Sequence, residues 1–178
     1  MSRGTANRGF TLIEILVVLI IVGLMASLAV LTLGGNSRQR ELENTVRELY
    51  LLMQTAADQA VLNNQELGLA IDDDGYRFLA FEPLERTWKA EPERLFEARP
   101  LPEWMVVTPY IENDAPRLAS GDDDQNSKNR PDIVFFSSGE TTPFQLEFVA
   151  RGNTDRVETI ESDGVSGVHW RDDEGKTP

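Results

Sequence analysis

The chain has 178 residues, enough for one domain with an appendage, and it carries 30 acidic against 17 basic residues for a net charge of −13. This acidity argues against a nucleic-acid partner, because binding to phosphates depends on Lys and Arg. The chain has no cysteine, which excludes disulfides, thiolate metal sites and a cysteine nucleophile.

The first element is a short basic leader followed by an apolar run. Residues 1–9 contain Arg3 and Arg8 and no acid, and Glu14 is the only charged residue of the run 10–33. About 20 apolar residues are enough to span a bilayer as a helix, and the positive-inside rule keeps the leader in the cytoplasm. A charge inside such a helix costs about 2.5–3.5 kcal/mol and usually marks a functional position.

The stretch RGFTLIEILVVLII at this junction resembles the class III signal of type IV pilins and type II secretion pseudopilins. The resemblance implies that a prepilin peptidase cuts between Gly9 and Phe10 and then N-methylates Phe10. Glycine suits the position before the cut because it has no Cβ to obstruct the peptidase. Glu14 matches the family's glutamate. Our hypothesis is that it docks the subunit onto the Phe10 amine of a neighbour, and the alternative is a carboxylate without a partner that reaches the nearby membrane end. The mature chain would carry a charge of −15, since the leader removes two arginines.

An ordinary secretory signal peptide is the alternative interpretation of the same segment. Its apolar region would be Leu12–Val22, and a cut after Ser27-Leu28-Ala29 would leave a chain starting at Val30. That interpretation gives no reason for Glu14 or for a glycine directly before Phe10.

A second helical segment is predicted beyond the apolar run. Gly34 and Gly35 each cost a helix about 1 kcal/mol relative to alanine, so we expect a kink or a local melt there. Residues 38–64 then place apolar side chains three and four positions apart on one stripe, which indicates an amphipathic helix lying on a soluble domain: Leu42, Val46, Leu49, Met53, Ala56, Ala57 and Ala60. Leu51 points away from this stripe, either as an isolated exposed leucine or as a contact with a neighbouring subunit.

Period-two patterns predict strands over the rest of the chain. The predicted strands are 66–71, 76–81, 104–111, 133–136, 144–148, 156–160 and 165–170, with Asp72–Gly75 as a hairpin turn and Phe144, Leu146 and Phe148 facing the core. Pro109 favours an edge or a bulge. Residues 82–102 are ambiguous, with Trp88, Leu95 and Phe96 as possible anchors.

The polar segment 113–130 predicts a long loop. Its acids at 122–124 could suggest calcium, but their spacing fits no EF-hand, and a solvated charge run is the preferred interpretation. No metal or cofactor site is predicted, and no enzymatic activity. His169 is the only histidine, and Ser137-Ser138-Gly139 is not a nucleophile elbow.

The segment 132–139 (DIVFFSSG), followed by Phe144-Gln145-Leu146, is similar to the GspH and FimT group of minor pseudopilins. The resemblance implies a minor pseudopilin of the type II secretion pseudopilus, which helps folded proteins cross the outer membrane. It implies a single-pass inner-membrane protein with a periplasmic C-terminal domain. Implied partners are the other major and minor pseudopilins, the prepilin peptidase and N-methyltransferase, the inner-membrane assembly platform with its ATPase, and membrane lipid before assembly.

The predicted fold is therefore α+β, with a long N-terminal helix packed on an antiparallel β-sheet or sandwich domain. The expected segments are a leader at 1–9, a transmembrane or filament-core helix at 10–33, its amphipathic continuation at 34–64, a β domain at 65–170 and a polar tail at 171–178. A FimT-like minor pilin of a type IV pilus and a membrane-anchored periplasmic binding domain that never assembles remain as alternatives.

Overall fold

The computed structural model describes residues 12–72, 74–111 and 130–171, without the side chains of 26–36 and 153–155. The predicted leader, the Gly9–Phe10 junction, nearly all of the acidic loop and all but the first residue of the tail lie outside the described residues. The chain forms two compact units, Met1–Arg40 and Glu41–Pro178.

The first element is a helix of 52 residues, α1, which spans Leu12–Asn63. It runs through Gly34 and Gly35 without a break, so the predicted local melt is wrong, whereas a kink there stays a prediction. Helix propagation is cooperative, and strong helix-forming segments on both sides outweigh the local penalty of two glycines. In the part of the chain that the structure describes, no helix is both long and apolar enough to cross a membrane.

The soluble half of α1 buries the predicted stripe. Leu42, Val46, Leu49, Met53, Ala56 and Ala60 are fully buried, and Ala57 is partly buried against the same core. Leu52, which the pattern did not place in the stripe, is buried as well, whereas Leu51 is 53% exposed as predicted. The buried surface of the helix is therefore wider than a strict three-and-four spacing indicates.

The helix ends in a Schellman cap. Asn64 adopts the left-handed conformation with φ 48°, and the N–H of Gln65 donates to the carbonyl of Ala60 at 3.1 Å. The described residues beyond the cap contain a short 3-10 helix, Arg94–Phe96, and nine strands: β1 (Leu67–Asp72), β2 (Gly75–Glu82), β3 (Thr87–Ala90), β4 (Arg99–Pro100), β5 (Met105–Ile111), β6 (Ile133–Phe135), β7 (Phe144–Ala150), β8 (Asn153–Ser162) and β9 (His169–Arg171).

The strands form two antiparallel sheets, as expected for a sandwich-like arrangement. The first has the order β3-β2-β1-β6, with β4 also pairing with β2, and the second has the order β5-β7-β8-β9. The predicted hairpin is confirmed, because Asp72 Oδ1 accepts hydrogen bonds from the backbone N–H of Asp74 and Gly75. Pro109 lies in the edge strand β5, where the missing N–H costs no ladder bond.

One core joins α1 to the inner faces of both sheets. Strand β7 alternates buried and half-buried residues along its whole length, so Phe144, Leu146 and Phe148 face this core as predicted. A second, smaller cluster lies on the opposite face of the first sheet and contains Ala70, Leu79, Phe81, Trp88 and Val134. The first sheet therefore carries apolar side chains on both faces.

The ambiguous region 82–102 supplies two of its three expected anchors. Trp88 is buried against Phe81, and the Phe96 ring lies 4.8 Å from that of Phe78. Leu95 is 40% exposed, so its prediction as an anchor is wrong. In the 3-10 turn that contains both residues, only Phe96 faces the core.

The last two strands differ most from the prediction. β8 is longer than 156–160, and β9 covers only His169–Arg171 rather than 165–170. Residues 163–167 form a turn around Asp163, whose carboxylate accepts hydrogen bonds from the backbone N–H of Val165 and Ser166. Side-chain capping of this kind competes with strand pairing.

A buried carboxylate links the last two strands. Glu158 is 4% exposed, and its Oε2 accepts a hydrogen bond from Trp170 Nε1 at 2.9 Å. The Trp170 ring packs against Tyr50 of α1, and the Arg47 guanidinium lies over it at 5.4 Å. Strand β9 is thus held both to β8 and to the helix.

We expect Trp170→Phe to lower the free energy of unfolding by about 1–3 kcal/mol, because a buried carboxylate loses a donor while the ring is largely retained. Urea denaturation would measure the change. In a Glu158→Gln background the same substitution should cost less, since a neutral amide loses a weaker bond. An equal cost in both backgrounds would contradict a role for the charge.

Candidate functional site

The N-terminal part of α1 presents an apolar surface. All large apolar side chains described between Leu12 and Met25 are exposed, from 47% for Val17 to 85% for Leu12. An exposed apolar surface of this length needs a cover of lipid or of other apolar helices. The segment is therefore suited to an apolar environment.

Glu14 lies in the first turn of α1 and is exposed. It is the only charged residue in the described segment 12–25. A carboxylate is favourable at a helix N-terminus, where unsatisfied N–H groups give a partial positive charge. Once such a helix is surrounded by apolar groups, the carboxylate requires a cationic partner. Gly9 and Phe10 lie outside the described residues, so Glu14 is the one predicted site residue whose position the structure gives.

Among the described residues of the β domain, the candidates for other chemistry are His169 and a few carboxylates. His169 is exposed on the edge strand β9. Among the described residues, no group of three or more His, Cys, Asp or Glu side chains could hold a metal ion. The acids at one end of β1 belong to structural turns. The Arg77 guanidinium lowers the pKa of Asp72, whereas burial raises the pKa of Asp132, which accepts the N–H of Ile71 at 2.8 Å.

A strongly perturbed carboxylate belongs to the β8–β9 turn. Asp163 Oδ1 accepts the N–H groups of Val165 and Ser166 at 2.9 and 2.7 Å, and Oδ2 accepts the Ser166 hydroxyl at 2.8 Å. These bonds favour the ionised form and lower the pKa of Asp163 to about 2. The turn is held by its own side chain.

The β8–β9 turn should therefore resist mild acid. Because the folded pKa lies below the usual value of about 3.9, the carboxylate's contribution to stability is complete above that value. It is lost only as the pH falls through about 2. The amide NMR signals of Val165 and Ser166 should show no titration step between about pH 5 and 3. A step near pH 4 that disappears in Asp163→Asn would contradict this assignment.

Two family comparisons cover these segments. Residues 4–30 match the prokaryotic N-terminal methylation motif, and residues 45–164 match the family described as type II transport protein GspH. The chain belongs to the GspH family. The first match contains most of the predicted leader, the Gly9–Phe10 junction and Glu14, and the second contains most of the soluble half of α1 and most of the β domain.

Individual relatives agree with this family assignment. The chain is 35% identical over 162 residues to type II secretion system protein H of Pseudomonas aeruginosa, covering 89% of this chain and 92% of that protein. The structure is similar to that of the minor pseudopilin EpsH of Vibrio cholerae, with a TM-score of 0.59, 19% identity and coverage of 73% and 95% of the two chains. This structural likeness confirms the α+β pilin-like fold.

A third relative is similar to this chain over only part of its length. Over 64 residues the chain is 42% identical to type II secretion system core protein G of Escherichia coli, covering 36% of this chain and 43% of that protein. The prediction of a GspH-type chain of type II secretion is confirmed, and a minor pseudopilin is the role that these relatives support.

Proposed function

We propose that this GspH-family subunit enters a periplasmic pseudopilus through the N-terminal segment of α1. The observation that carries the proposal is Glu14, the lone charge on an exposed apolar helix surface, within a segment that matches the methylation motif. Before assembly the segment 10–33 anchors the chain in the inner membrane, with the β domain in the periplasm. This orientation follows from the basic leader and the positive-inside rule.

The docking step is a pairing between two subunits. After cleavage, Phe10 carries an N-methylated amine, and a free α-amino group titrates near 8, so the amine is protonated at neutral pH. Among packed apolar helices this cation and the Glu14 carboxylate of a neighbour neutralise each other. Such a pair fixes the register of one helix against the next. The neighbours are the other major and minor pseudopilins.

The subunit itself performs no catalysis in this proposal. The prepilin peptidase cleaves and methylates it, and the ATPase of the inner-membrane platform supplies the energy for assembly. The chain contributes a helix for the filament core and a folded domain for the filament surface. Growth of the pseudopilus then moves folded proteins through the outer membrane.

Leader removal should depend on the size of residue 9. We expect Gly9→Val to block processing, because a branched side chain keeps the peptidase from approaching the backbone. Gly4→Val is the matched control, since it places the same side chain elsewhere in the leader and should be processed normally. Intact mass measures both variants. A processed Gly9→Val chain would contradict the proposed cut, and a mature chain starting at Val30 would support a secretory signal peptide.

The secretion role is tested by deletion. Loss of the chain should trap folded exoproteins in the periplasm and leave twitching motility unchanged. Loss of twitching with normal secretion would instead support a FimT-like minor pilin. A chain that stays monomeric in the membrane, with secretion intact, would support the non-assembling binding domain.

A further inference from the structure

The two sheets end in edge strands of different length. β3 and β4 share one edge of the first sheet and β6 forms the other, while β5 and β9 are the edges of the second sheet. An edge exposes backbone N–H and C=O groups that can pair with a strand of another chain. β3, β4, β6 and β9 contain two to four residues each, whereas β5 contains seven. β5 is therefore the described edge that offers a foreign strand the most room.

Two of the short edges carry local protection. On β6, the N–H of Thr142 donates to the carbonyl of Val134 at 2.9 Å, and the N–H of Val134 donates to Thr142 Oγ1 at 3.1 Å. Thr142 thus takes the position that a further strand would need. β3 carries Lys89, which pairs with Glu85 at 2.7 Å, and charged side chains at an edge oppose pairing with another chain. β5 has no charged residue, so it needs protection of another kind.

The backbone of β5 alternates between its partner strand and the outside of the sheet. The N–H of Arg151 donates to the carbonyl of Trp104 at 2.6 Å, in register with the pairs that join β5 to β7. Because the bonding direction alternates along an antiparallel strand, the even-numbered residues of β5 bond to β7. The odd-numbered residues 105, 107, 109 and 111 therefore point their N–H and C=O groups outward. The N–H of Met105 agrees with this, since it donates to the carbonyl of Pro102 rather than to β7.

Proline stands at one of these outward positions. Pro109 is exposed and has no N–H, so it offers a second strand no donor. The N–H of Met105 is already bonded, which leaves Val107 and Ile111 as the outward donors of β5. Any antiparallel register that pairs three or more of the four outward positions with the same positions of a second β5 includes Pro109. One residue therefore blocks every extended pairing of β5 with itself.

The sequence of β5 makes a second copy of the same chain the partner that fits this edge. Antiparallel pairing about position 109 sets Val107 of one copy opposite Ile111 of the other, so one segment serves both sides of an isologous contact. Apart from the proline, MVVTPYI is uncharged and rich in β-branched and aromatic residues, which is the composition of segments that pair between chains. No charge on β5 keeps two copies of this strand apart.

We propose that Pro109 keeps the long edge of β5 closed to a second copy of this chain, and so prevents the β domains of two copies from joining sheet to sheet. In the proposed function, α1 presents the surface through which the chain assembles. Pro109 closes a different surface, through which copies would otherwise associate outside that assembly. This role is independent of the pairing of Glu14 with a neighbour, so either can fail without the other.

Pro109→Thr tests this role, because threonine supplies the missing N–H without a large apolar side chain. The full mature chain and its variants are compared in excess detergent, where sedimentation measures monomer and dimer over a range of concentrations. The substitution makes two backbone hydrogen bonds available across the two-fold axis of the pair, and each such bond is worth a factor of about five in an equilibrium constant. We expect the dissociation constant of the dimer to fall about 25-fold.

Two matched variants separate the added N–H from other effects. Thr108→Val changes the neighbouring side chain, whose N–H faces β7, and should sediment like the parent. Val107→Pro combined with Pro109→Thr moves the proline to another outward position that every extended register also contains, and it should restore the monomer. A dimer of equal strength in the double variant, or a Pro109→Thr chain that is as monomeric as the parent, overturns the proposal.

Amide hydrogen exchange of the parent chain decides the matter even where a variant fails to fold. The N–H of Val106 bonds to β7 whereas that of Val107 points outward, so Val107 should exchange at least about tenfold faster. In the Pro109→Thr dimer the N–H groups of Val107 and Ile111 should become protected. Protection of Val107 equal to that of Val106 in the monomeric parent means that the edge is already paired, and this result overturns the proposal.

Discussion

Replacing Glu14 with alanine should leave leader removal intact and lower incorporation into the pseudopilus by about a hundredfold. The substitution leaves a neighbour's Phe10 amine unpaired among apolar helices, and removing one partner of a buried charge pair costs about 3–5 kcal/mol. At about 1.4 kcal/mol for each factor of ten, the lower figure already corresponds to a hundredfold loss. Because Glu14 is exposed in α1, the same substitution should change the stability of the folded chain itself much less.

The measurement compares the mature mass of the chain with its recovery in sheared pseudopili. Glu41→Ala is the matched control, because it removes an exposed carboxylate from the same helix outside the apolar run. Glu14→Asp, which keeps the charge on a shorter side chain, should retain part of the incorporation. Recovery of Glu14→Ala at the normal level would refute the docking role.

Phe148→Ala should be the most damaging single truncation in the β domain. Phe148 is completely buried at the centre of β7, within the core that joins α1 to both sheets. Removing a buried phenylalanine costs about 3–5 kcal/mol through lost burial and the cavity left behind. Domains commonly have a free energy of unfolding of only about 5–15 kcal/mol, so this loss should raise the unfolded fraction considerably.

Val149→Ala is the control for this prediction, because Val149 is the next residue of the same strand and points to the other, half-exposed face. Its cost should be about 1 kcal/mol or less. Urea denaturation of the unit beginning at Glu41 would compare the two variants with the parent. Similar losses for Phe148→Ala and Val149→Ala would mean that the core does not depend on the inner face of β7.

The parts of the fold that could be predicted are those that depend on local periodicity. The three-and-four spacing from Leu42 to Ala60 and the strict alternation of Phe144, Leu146 and Phe148 both identify the buried face correctly. The Asp72–Gly75 turn is also local, since one carboxylate accepts the N–H groups that close it. In each case the local structure is determined by residues that lie close together in the sequence.

The parts that could not be predicted depend on contacts distant in sequence. The division of the strands into two sheets, and the pairing of β4 with β2, follow from which edges meet in space. The sequence around Glu158 does not indicate that this side chain is buried, because Trp170, which donates a hydrogen bond to it, lies in the last described strand.

The methylation motif, in contrast, could be identified from the sequence without the structure. Gly9, Phe10 and Glu14 were identified through the resemblance of one short stretch to a known signal, and the family match over residues 4–30 agrees with that resemblance. The cut itself and the role of Glu14 remain proposals, because they belong to a peptidase and to a neighbouring subunit.

The contact between Tyr50 and Trp170 has a consequence for the order in which the chain folds. It joins an early residue of the soluble helix to the last described strand, and a contact so distant in sequence forms late and slowly. The Tyr50 ring therefore loses this cover in any chain that is cut short before β9.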